Sequence, residues 1–340
     1  MTDNPTLTAV SGLTVGHWTD LEAATGCTVV LCGADGAVAG VDVRGSAPGT
    51  RETDLLAPLN LIDRIHAVLL TGGSAFGLDA ATGVMRWLDE RRFGCDMGVC
   101  RVPLVSAAVL FDLGVGSADV RPDEGAGYAA CEAASAAPVL RGSIGAGTGA
   151  TVGKVLGPER ATKGGVGSAA IRLGSGAVVA ALVAVNAGGD VIDPESGVVV
   201  AGARGDDGRY VRAARLLHDL DGSSGVPGGN TTLAVVATDV VLTKVEATKM
   251  AQMAHDGLAR TIDPVHTMYD GDTVFALATG SSGKALDVTL VGTAAAHALA
   301  DAVLDAVHSA DSVAGVPAAR DATPSDAVPE AAARRSEGSS

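Results

Sequence analysis

The sequence predicts an α/β fold in which sheets and helices pack closely, and three observations support this. Of the 340 residues, 47% are hydrophobic, which is enough for a large buried core. Only 3% are aromatic whereas 46 are glycine, so the backbones must approach one another closely. Runs typical of strands also alternate with stretches of helical spacing. Layers of sheet and helix with small side chains between them satisfy all three observations.

The first third of the chain contains short β-rich runs, which predict strands at Cys27–Cys32, Ala37–Val43 and Ala67–Leu70. Apolar residues then recur at helical spacing and predict a helix over about residues 76–92. A second helix is expected after Pro122, because proline fits the first turn of a helix.

The middle of the chain is rich in glycine, and residues 142–167 show no periodic pattern. Residues 169–173 and 177–185 flank a Gly-Ser-Gly turn and predict a hairpin. Its second strand delivers Asn186 at its end. Residues 187–230 are polar and turn-rich, and this composition predicts an exposed linker around one short helical patch.

The last third of the chain has the order strand, helix, strand, helix. Thr231–Val241 is typical of a buried strand, and Thr243 with Glu246 forms a capping box that opens a helix. Asp272–Thr279 predicts the next strand, and the alanine-rich residues 291–309 predict the last helix.

The net charge, the length of the apolar stretches and the spacing of histidines and cysteines argue against several classes of binding partner. The formal net charge is −15 with 24 lysines and arginines, so nucleic acid is not an expected partner. No uninterrupted apolar stretch reaches about 20 residues, and the first residues lack a signal-peptide pattern, so we expect a cytoplasmic protein without membrane contact. Histidines and cysteines lack metal-site spacing, so no metal ion is expected.

Three glycine-rich motifs resemble known sites without completing them. GAGTGA at residues 145–150 resembles a dinucleotide fingerprint, but later glycines interrupt the helix that should receive the pyrophosphate. Gly153-Lys154 lacks the flanking residues of a P-loop. GGSAFG at residues 72–77 misses a nucleophile elbow by one residue, although this loop can still shape a pocket. A non-catalytic nucleotide-binding protein remains an alternative.

The junction GGNTT at residues 228–232 joins the polar linker to the hydrophobic strand. A chain cut between Asn230 and Thr231 would leave Thr231 as an amino terminus, whose α-amine, with a pKa of about 7.7–8.0, can act as the base for its own hydroxyl. Taken alone, these five residues are more typical of an ordinary loop entering a strand.

Four parts of the chain resemble peptidase family S58, which includes L-aminopeptidase/D-esterases, β-aminopeptidases and nylon-oligomer hydrolases. They are TGGSAFGL at 71–78, KGGVG at 163–167, GNTT at 229–232, and AHDGLAR at 254–260 continuing to DGDT at 270–273. The resemblance spans about residues 8–318. The Asn-Thr junction and the Asp-Gly-Asp motif most resemble the 6-aminohexanoate-oligomer endohydrolases, because the aminopeptidase branch typically cuts before serine.

The resemblance implies the roles at the junction. Thr231 matches the nucleophile, and Asn230 matches the residue left at the new carboxyl terminus. Lys154 matches a catalytic lysine, with Lys163 as a rival for that role. Asn186 matches an asparagine that binds the oxyanion, and a strand end suits this role because the side-chain amide can point at a developing charge.

The resemblance also implies an acidic pair, Asp270 and Asp272. Two carboxylates two residues apart on an extended backbone point to one face, where they can hold the ammonium of Thr231 or Lys154. The same Asp-Gly-Asp pattern is otherwise typical of a turn.

The implied fold is a four-layer α-β-β-α sandwich of the aminopeptidase/ornithine-acetyltransferase type, cut by autoproteolysis. Residues 1–230 and 231–340 are expected to fold as one unit and to assemble as a homo-oligomer, a tetramer of cleaved pairs. Beyond about residue 318 the composition predicts a mobile tail.

The expected function is self-processing amide hydrolysis that needs no cofactor. Peptides and linear amide oligomers are both open as substrates, and so are exo- and endo-cleavage. An acyltransferase of the ornithine-acetyltransferase type, which passes the acyl group to an amine, is the enzymatic alternative.

Overall fold

The computed structural model describes residues 4–218 and 229–322. The strands, numbered along the chain, are β1 (Thr14–Asp20), β2 (Thr25–Leu31), β3 (Ala37–Val43), β4 (Thr50–Arg51), β5 (Arg64–Ile65), β6 (Ala67–Thr71), β7 (Cys95–Asp96), β8 (Arg101–Val102), β9 (Val105–Val109), β10 (Thr151–Val152), β11 (Thr162–Lys163), β12 (Gly165–Arg172), β13 (Val178–Asn186), β14 (Asp190–Ile192), β15 (Val199–Ala201), β16 (Ala203–Arg204), β17 (Tyr210–Val211), β18 (Thr231–Thr238), β19 (Ile262–Asp263) and β20 (Thr273–Ala278). The α-helices are α1 (Ala80–Glu90), α2 (Glu124–Glu132), α3 (Ala213–His218), α4 (Lys244–Thr261) and α5 (Val288–His308).

Two sheets form the centre of the molecule. One has the strand order β1-β2-β6-β9-β4, and the other has the order β12-β13-β18-β20-β3-β5. In the second sheet β18 and β20 are parallel and α4 connects them, which is the strand–helix–strand unit predicted from the sequence. The capping box at Thr243 and Glu246 is formed.

Three hydrophobic clusters separate four layers. Alternate residues of β13 point to opposite faces, so that Val183 packs towards α4 and α5 while Leu182 lies between the two sheets. In β2, Val30 faces the other sheet and Val29 faces α1 and α2. The layer order is therefore helices, sheet, sheet, helices, and the predicted α-β-β-α sandwich is confirmed.

Glycine allows the helices to pack at short range. A Cβ atom at Gly257 of α4 would lie 2.3 Å from the carbonyl oxygen of Ala296 in α5. A Cβ at Gly83 of α1 would lie 1.8 Å from the carbonyl oxygen of Glu124 in α2. Larger side chains cannot occupy these positions, which explains why a large core contains so few aromatic rings.

Helix α5 is long and apolar enough to cross a membrane by length and composition alone. The most apolar part of this helix is 67% buried inside the protein, where it packs on β12 and β13. Asp287 caps its amino terminus by accepting a hydrogen bond from the Thr289 N–H. It is a core helix of this fold.

Three predicted segments differ from the structure. The helix expected over 76–92 begins as a 3₁₀ turn at Ser74–Asp79 and becomes α-helical as α1. Residues 142–167, which have no sequence period, include β10 and β11. Of the predicted tail, Ala318 is buried next to a short turn at Ala319–Asp321, and residues 323–340 lie outside the described residues.

The polar stretch 187–230 is not the exposed linker that its composition predicts. Its described part contains β14 to β17 and α3, and β14 pairs with β19 far along the chain. Asp190 is 1% exposed and accepts hydrogen bonds from the N–H groups of Ala203 (3.1 Å) and Ala213 (2.6 Å). One buried carboxylate thus orders a segment that has little apolar surface. Residues 219–228 of this stretch lie outside the described residues.

Candidate active site

Thr231 is the first residue of β18 and is 4% exposed. On one side it pairs with Asn186, the last residue of β13. On the other side the parallel register of β18 and β20 continues backwards to a bridge between Asn230 and Asp270. Thr231 therefore lies between the end of one strand and the Asp-Gly-Asp segment.

Gly271 is the neighbour of Thr231 on the Asp-Gly-Asp side, and only glycine fits there. A Cβ atom at this position would lie 2.7 Å from the Thr231 hydroxyl oxygen and 3.0 Å from the carbonyl oxygen of Ala47. The Gly271 N–H donates to the carbonyl oxygen of Asn230 over 3.1 Å. The Thr231 hydroxyl also donates to that oxygen. Two donors therefore converge on the carbonyl group of the Asn230–Thr231 bond.

Asn186 is fully buried and all four of its amide contacts are made with neighbouring segments. Its Oδ1 accepts hydrogen bonds from the Thr151 N–H (3.0 Å) and from Lys154 Nζ (2.9 Å). Its Nδ2 donates to the carbonyl oxygens of Phe111 (3.0 Å) and Gly229 (3.3 Å). These partners fix the side-chain amide with its NH₂ group directed at the junction.

Lys154 lies in the loop after β10, and its Nζ reaches the same junction. It donates to the carbonyl oxygen of Gly229 (2.6 Å) and to the backbone and side-chain oxygens of Asn186 (2.9 Å each). Burial lowers the pKa of Lys154 to about 7, while the charge of Asp270 opposes this shift. Near neutral pH the amine can therefore release or accept a proton.

Lys163, the rival lysine, occupies a different place. It is 0% exposed, and its Nζ donates to the backbone oxygens of Gly147 (3.3 Å), Thr148 (2.9 Å) and Ala150 (2.5 Å). No contact joins it to Asn186, Thr231 or Gly229 among the described residues. The geometry places Lys154 at the junction and Lys163 behind it.

Asp270 and Asp272 are both buried beside the strand that begins at Thr231. Asp272 accepts hydrogen bonds from the Thr232 N–H (2.7 Å) and from the backbone and ring nitrogens of His266 (3.1 and 2.8 Å). Asp270 accepts from the Thr267 N–H (2.6 Å). Burial and the nearby charge of Asp272 raise the pKa of Asp270. Neither forms an ion pair with Lys154, so within the described chain the pair acts on that amine only at longer range.

Sequence reasoning missed His266. Its Nδ1 carries a hydrogen, because the Asp272 carboxylate can only accept. The residue has a left-handed backbone (φ 58°), which brings both of its donors onto one oxygen of Asp272. A lone histidine six residues before an aspartate has no recognisable signal in the sequence.

Two cavities flank the junction. One of about 180 Å³ is lined by Thr231, Asn230 and Tyr269, and by Ser74 and Ala75 of the GGSAFG loop. The other, of about 470 Å³, lies on the side of Lys154 and Gly229, and its wall includes Phe111, Asp112 and Val316. The expectation that the GGSAFG loop shapes a pocket is confirmed.

The dinucleotide-like motif does not form a nucleotide site. Residues 145–147 form a fully buried 3₁₀ turn against β2, without the helix that would receive a pyrophosphate. The nucleotide-binding alternative is therefore wrong, because it depends on a helix that this motif does not form. Within residues 4–218 and 229–322 no group of three or more His, Cys, Asp or Glu side chains is arranged to hold a metal ion.

Comparisons with known proteins agree with one another. The chain matches peptidase family S58 over residues 5–320. It is 45% identical to an uncharacterized aminopeptidase of Mycobacterium tuberculosis, covering 94% of this chain and 98% of that protein. It is 35% identical to a 6-aminohexanoate-oligomer endohydrolase of Paenarthrobacter ureafaciens, covering 87% and 84%.

Solved structures share the fold. An L-aminopeptidase D-Ala-esterase/amidase of Ochrobactrum anthropi, described as a variant of the Ntn hydrolase fold, superimposes with a TM-score of 0.67 over 90% of this chain and 86% of that chain, at 19% identity. A β-aminopeptidase of a Burkholderia species superimposes with a TM-score of 0.64 over 91% and 87%, at 23% identity.

Proposed function

The chain belongs to peptidase family S58 and is an amide-bond hydrolase, and we propose that it cuts its own Asn230–Thr231 bond and then uses Thr231 as the nucleophile. The observation that carries the proposal is the convergence on that bond. The Thr231 hydroxyl and the Gly271 N–H both contact the Asn230 carbonyl oxygen.

Maturation is an acyl shift followed by hydrolysis. The Thr231 Oγ attacks the carbonyl carbon of Asn230 and gives up its hydrogen as a proton, the C–N bond breaks, and the Thr231 nitrogen takes up that proton to become an amine. The Gly271 N–H stabilises the negative charge that develops on the carbonyl oxygen. Water then hydrolyses the ester, which leaves Asn230 as a carboxyl terminus and Thr231 as an amino terminus.

Turnover repeats the acyl transfer on a substrate amide. The Thr231 Oγ forms an ester with the substrate acyl group, the amine leaves with a proton, and water releases the acid. Lys154 and the new α-amine are the two amines that can carry the proton near neutral pH. The Asn186 Nδ2, once the Gly229 carbonyl has moved away, is the donor for the oxyanion.

The acidic pair supports the nucleophile strand. Asp272 holds the Thr232 N–H directly after the nucleophile and is itself held by His266. Asp270 favours the charged form of Lys154 and provides a partner for the new ammonium of Thr231.

We expect the two fragments to remain one folded unit and to associate into a homo-oligomer. The strand that begins at Thr231 lies between β13 and β20 in the same sheet, so separating the fragments would expose its buried faces. Tetrameric assembly and a cytoplasmic location remain predictions.

Self-cleavage predicts two fragments from one gene product. A cut after Asn230 divides the chain into 230 and 110 residues, about 23 and about 11 kDa of the total 33.5 kDa. A denaturing gel should show both bands, while gel filtration shows one larger species. Intact mass or amino-terminal sequencing should place the new terminus at Thr231. Fresh and aged protein that is fully active as one uncut chain would contradict the proposal.

Blocking the substrate's amino terminus distinguishes exo- from endo-cleavage. Both Asp272 oxygens and one Asp270 oxygen already accept hydrogen bonds from the protein, so we expect acetylated and free linear amide oligomers to be cut at rates within a few-fold of each other. Product chromatography with matched oligomers measures this. A loss of about a hundredfold or more on acetylation, the effect of leaving a buried carboxylate without its cation, would instead favour an aminopeptidase.

A further inference from the structure

Lys163 is a buried lysine that the proposed reaction does not use, and burial lowers the pKa of its amine to about 7 while the charge of Asp112 opposes this shift. Its ammonium is held only by three backbone carbonyl groups, and no carboxylate lies within salt-bridge distance of it in the described chain. Isolating a charge from water in this way costs several kcal/mol in proteins. That cost is the reason why the pKa of Lys163 is lowered, and the charged form persists on the acid side of neutrality.

Asp112 is the complementary case, a buried carboxyl group that the reaction does not use; burial raises its pKa, and its hydrogen bonds from Gly73 and Thr25 oppose this shift. It is 3% exposed, accepts hydrogen bonds from the Gly73 N–H and the Thr25 hydroxyl (2.7 Å each), and lines the larger cavity. A Cβ atom at Gly72 would lie 2.0 Å from its Oδ2, so the backbone closes tightly around the carboxylate. Its two donors keep it fixed as an acceptor.

Both charges act on the two segments that hold Asn186. Lys163 binds the carbonyl of Ala150, and the next residue, Thr151, donates its N–H to the Asn186 Oδ1. Asp112 directly follows Phe111, whose carbonyl accepts from the Asn186 Nδ2. The orientation of the amide thus depends on one segment anchored by a buried cation and on another anchored by a buried anion.

The same charges also influence Lys154, with opposite signs. Lys163 lowers the pKa of Lys154 and Asp112 raises it, both as contributions smaller than that of burial. Asp270 and Asp272 also raise the pKa of this amine, and the charged residues Glu159 and Arg204 line the same cavity as Lys154. In the cleaved enzyme the α-amine of Thr231 would be a further one.

We propose that Lys163 and Asp112 are positioning residues: they hold the two segments that orient the Asn186 amide, and they balance the electrostatic field at the Lys154 amine. This inference rests on the proposed function, because it assigns the two residues to a site whose roles are themselves proposed. Neither residue touches the reacting bond.

Opposite shifts of the pH profile test this inference. In Lys163→Met a positive charge near Lys154 is lost, protonation of Lys154 becomes easier, and the acid limb of kcat/KM moves to higher pH. In Asp112→Asn a negative charge is lost, and the limb moves to lower pH. We expect each shift to be on the order of one pH unit. We also expect kcat to fall by about 10- to 100-fold with little change in KM, because the oxyanion donor loses its orientation.

Matched controls come from elsewhere in the chain. Lys244 is another buried lysine, and its Nζ binds the backbone oxygens of Leu55 (3.1 Å) and Asn60 (2.8 Å). Asp239 accepts the Val178 N–H (3.0 Å) at the far end of the strand that begins at Thr231. Lys244→Met and Asp239→Asn should lose thermal stability without moving the pH profile.

The outcomes separate this inference from the proposed function. The inference is overturned if Lys154→Met is inactive while the pH profiles of Lys163→Met and Asp112→Asn either do not shift or shift in the same direction. In that case the reaction scheme stays intact. An active Lys154→Met removes Lys154 from the reaction, and a Thr231→Ala protein that retains activity overturns the scheme itself. If Lys163→Met does not fold, the near-isosteric Asp112→Asn tests the inference by itself. An acid limb that stays in place or moves to higher pH in that variant contradicts the inference.

Discussion

Thr231→Ala is expected to remain a single chain of 33.5 kDa and to show only background amidase activity. The substitution removes the oxygen that contacts the Asn230 carbonyl group and that would later carry the substrate acyl group. Loss of a nucleophile costs on the order of 10⁴-fold or more in kcat. A denaturing gel and an amide-hydrolysis assay on the same preparation measure both consequences.

Two further variants test whether the Thr231 hydroxyl oxygen is responsible for this result. Thr231→Ser retains the oxygen and should still cut, more slowly or at a similar rate, and the resulting fragments should be active. Thr232→Val is the matched control, because the Thr232 hydroxyl is buried without a hydrogen-bond partner and its loss removes no contact. It should mature and hydrolyse like the unaltered protein. A Thr231→Ala protein that runs as two fragments, or that retains activity, requires a different nucleophile.

Local signals in the sequence were sufficient for the elements that build the sandwich. The capping box at Thr243 and the strand from Thr231 were predictable, because helix caps and buried strands depend on residues close together in the chain. Asn186 was placed at a strand end for the same reason. The packing order of the layers came instead from the resemblance to a known family.

The features that sequence reasoning missed depend on contacts between distant segments. Asp190 orders residues 203–213 through hydrogen bonds that no periodicity reveals. His266 acquires its place only when the backbone turns it onto Asp272. Asp112 is enclosed by Gly72, about 40 residues earlier in the chain. Composition alone describes all of these segments as loops.

The two lysines show the same limit of sequence-based prediction within one short stretch of the chain. Lys154 follows a glycine-rich stretch and Lys163 precedes another, and the resemblance left Lys163 open as a rival of Lys154 for the catalytic role. Pairing of β10 with β11 places Thr151 opposite Lys163. That register directs the Lys163 side chain to the carbonyls of residues 147–150, while the loop beyond β10 brings Lys154 to Gly229. Strand register thus determines that Lys154, and not Lys163, lies at the junction. The sequence alone specifies this register poorly.

Lys154→Met is expected to lower kcat by about 10³- to 10⁴-fold and to slow self-cleavage, because it removes both a proton carrier and a donor to Gly229. In the unaltered enzyme a base must be neutral to act, and the neutral fraction of Lys154 grows as the pH rises through its pKa of about 7. The rate should therefore fall on the acid side of about pH 7. A kcat/KM profile measured across this range in the variant should lack the limb near pH 7, and a limb that remains near the pKa of about 7.7–8.0 belongs to the α-amine of Thr231.

Lys154→Arg determines whether the amine acts as a base or as a fixed charge. Arginine preserves the positive charge near Gly229 and Asn186 but stays protonated at any pH the enzyme tolerates. If Lys154 carries the proton, the arginine variant should be as inactive as Lys154→Met, although its fold is retained. Lys249→Met, which changes an exposed lysine on α4, is the control and should leave the profile unaltered. Substantial activity in Lys154→Arg would show that the charge alone suffices, and the proton would then have to be carried by the α-amine of Thr231, the other amine at the junction with a pKa near neutrality.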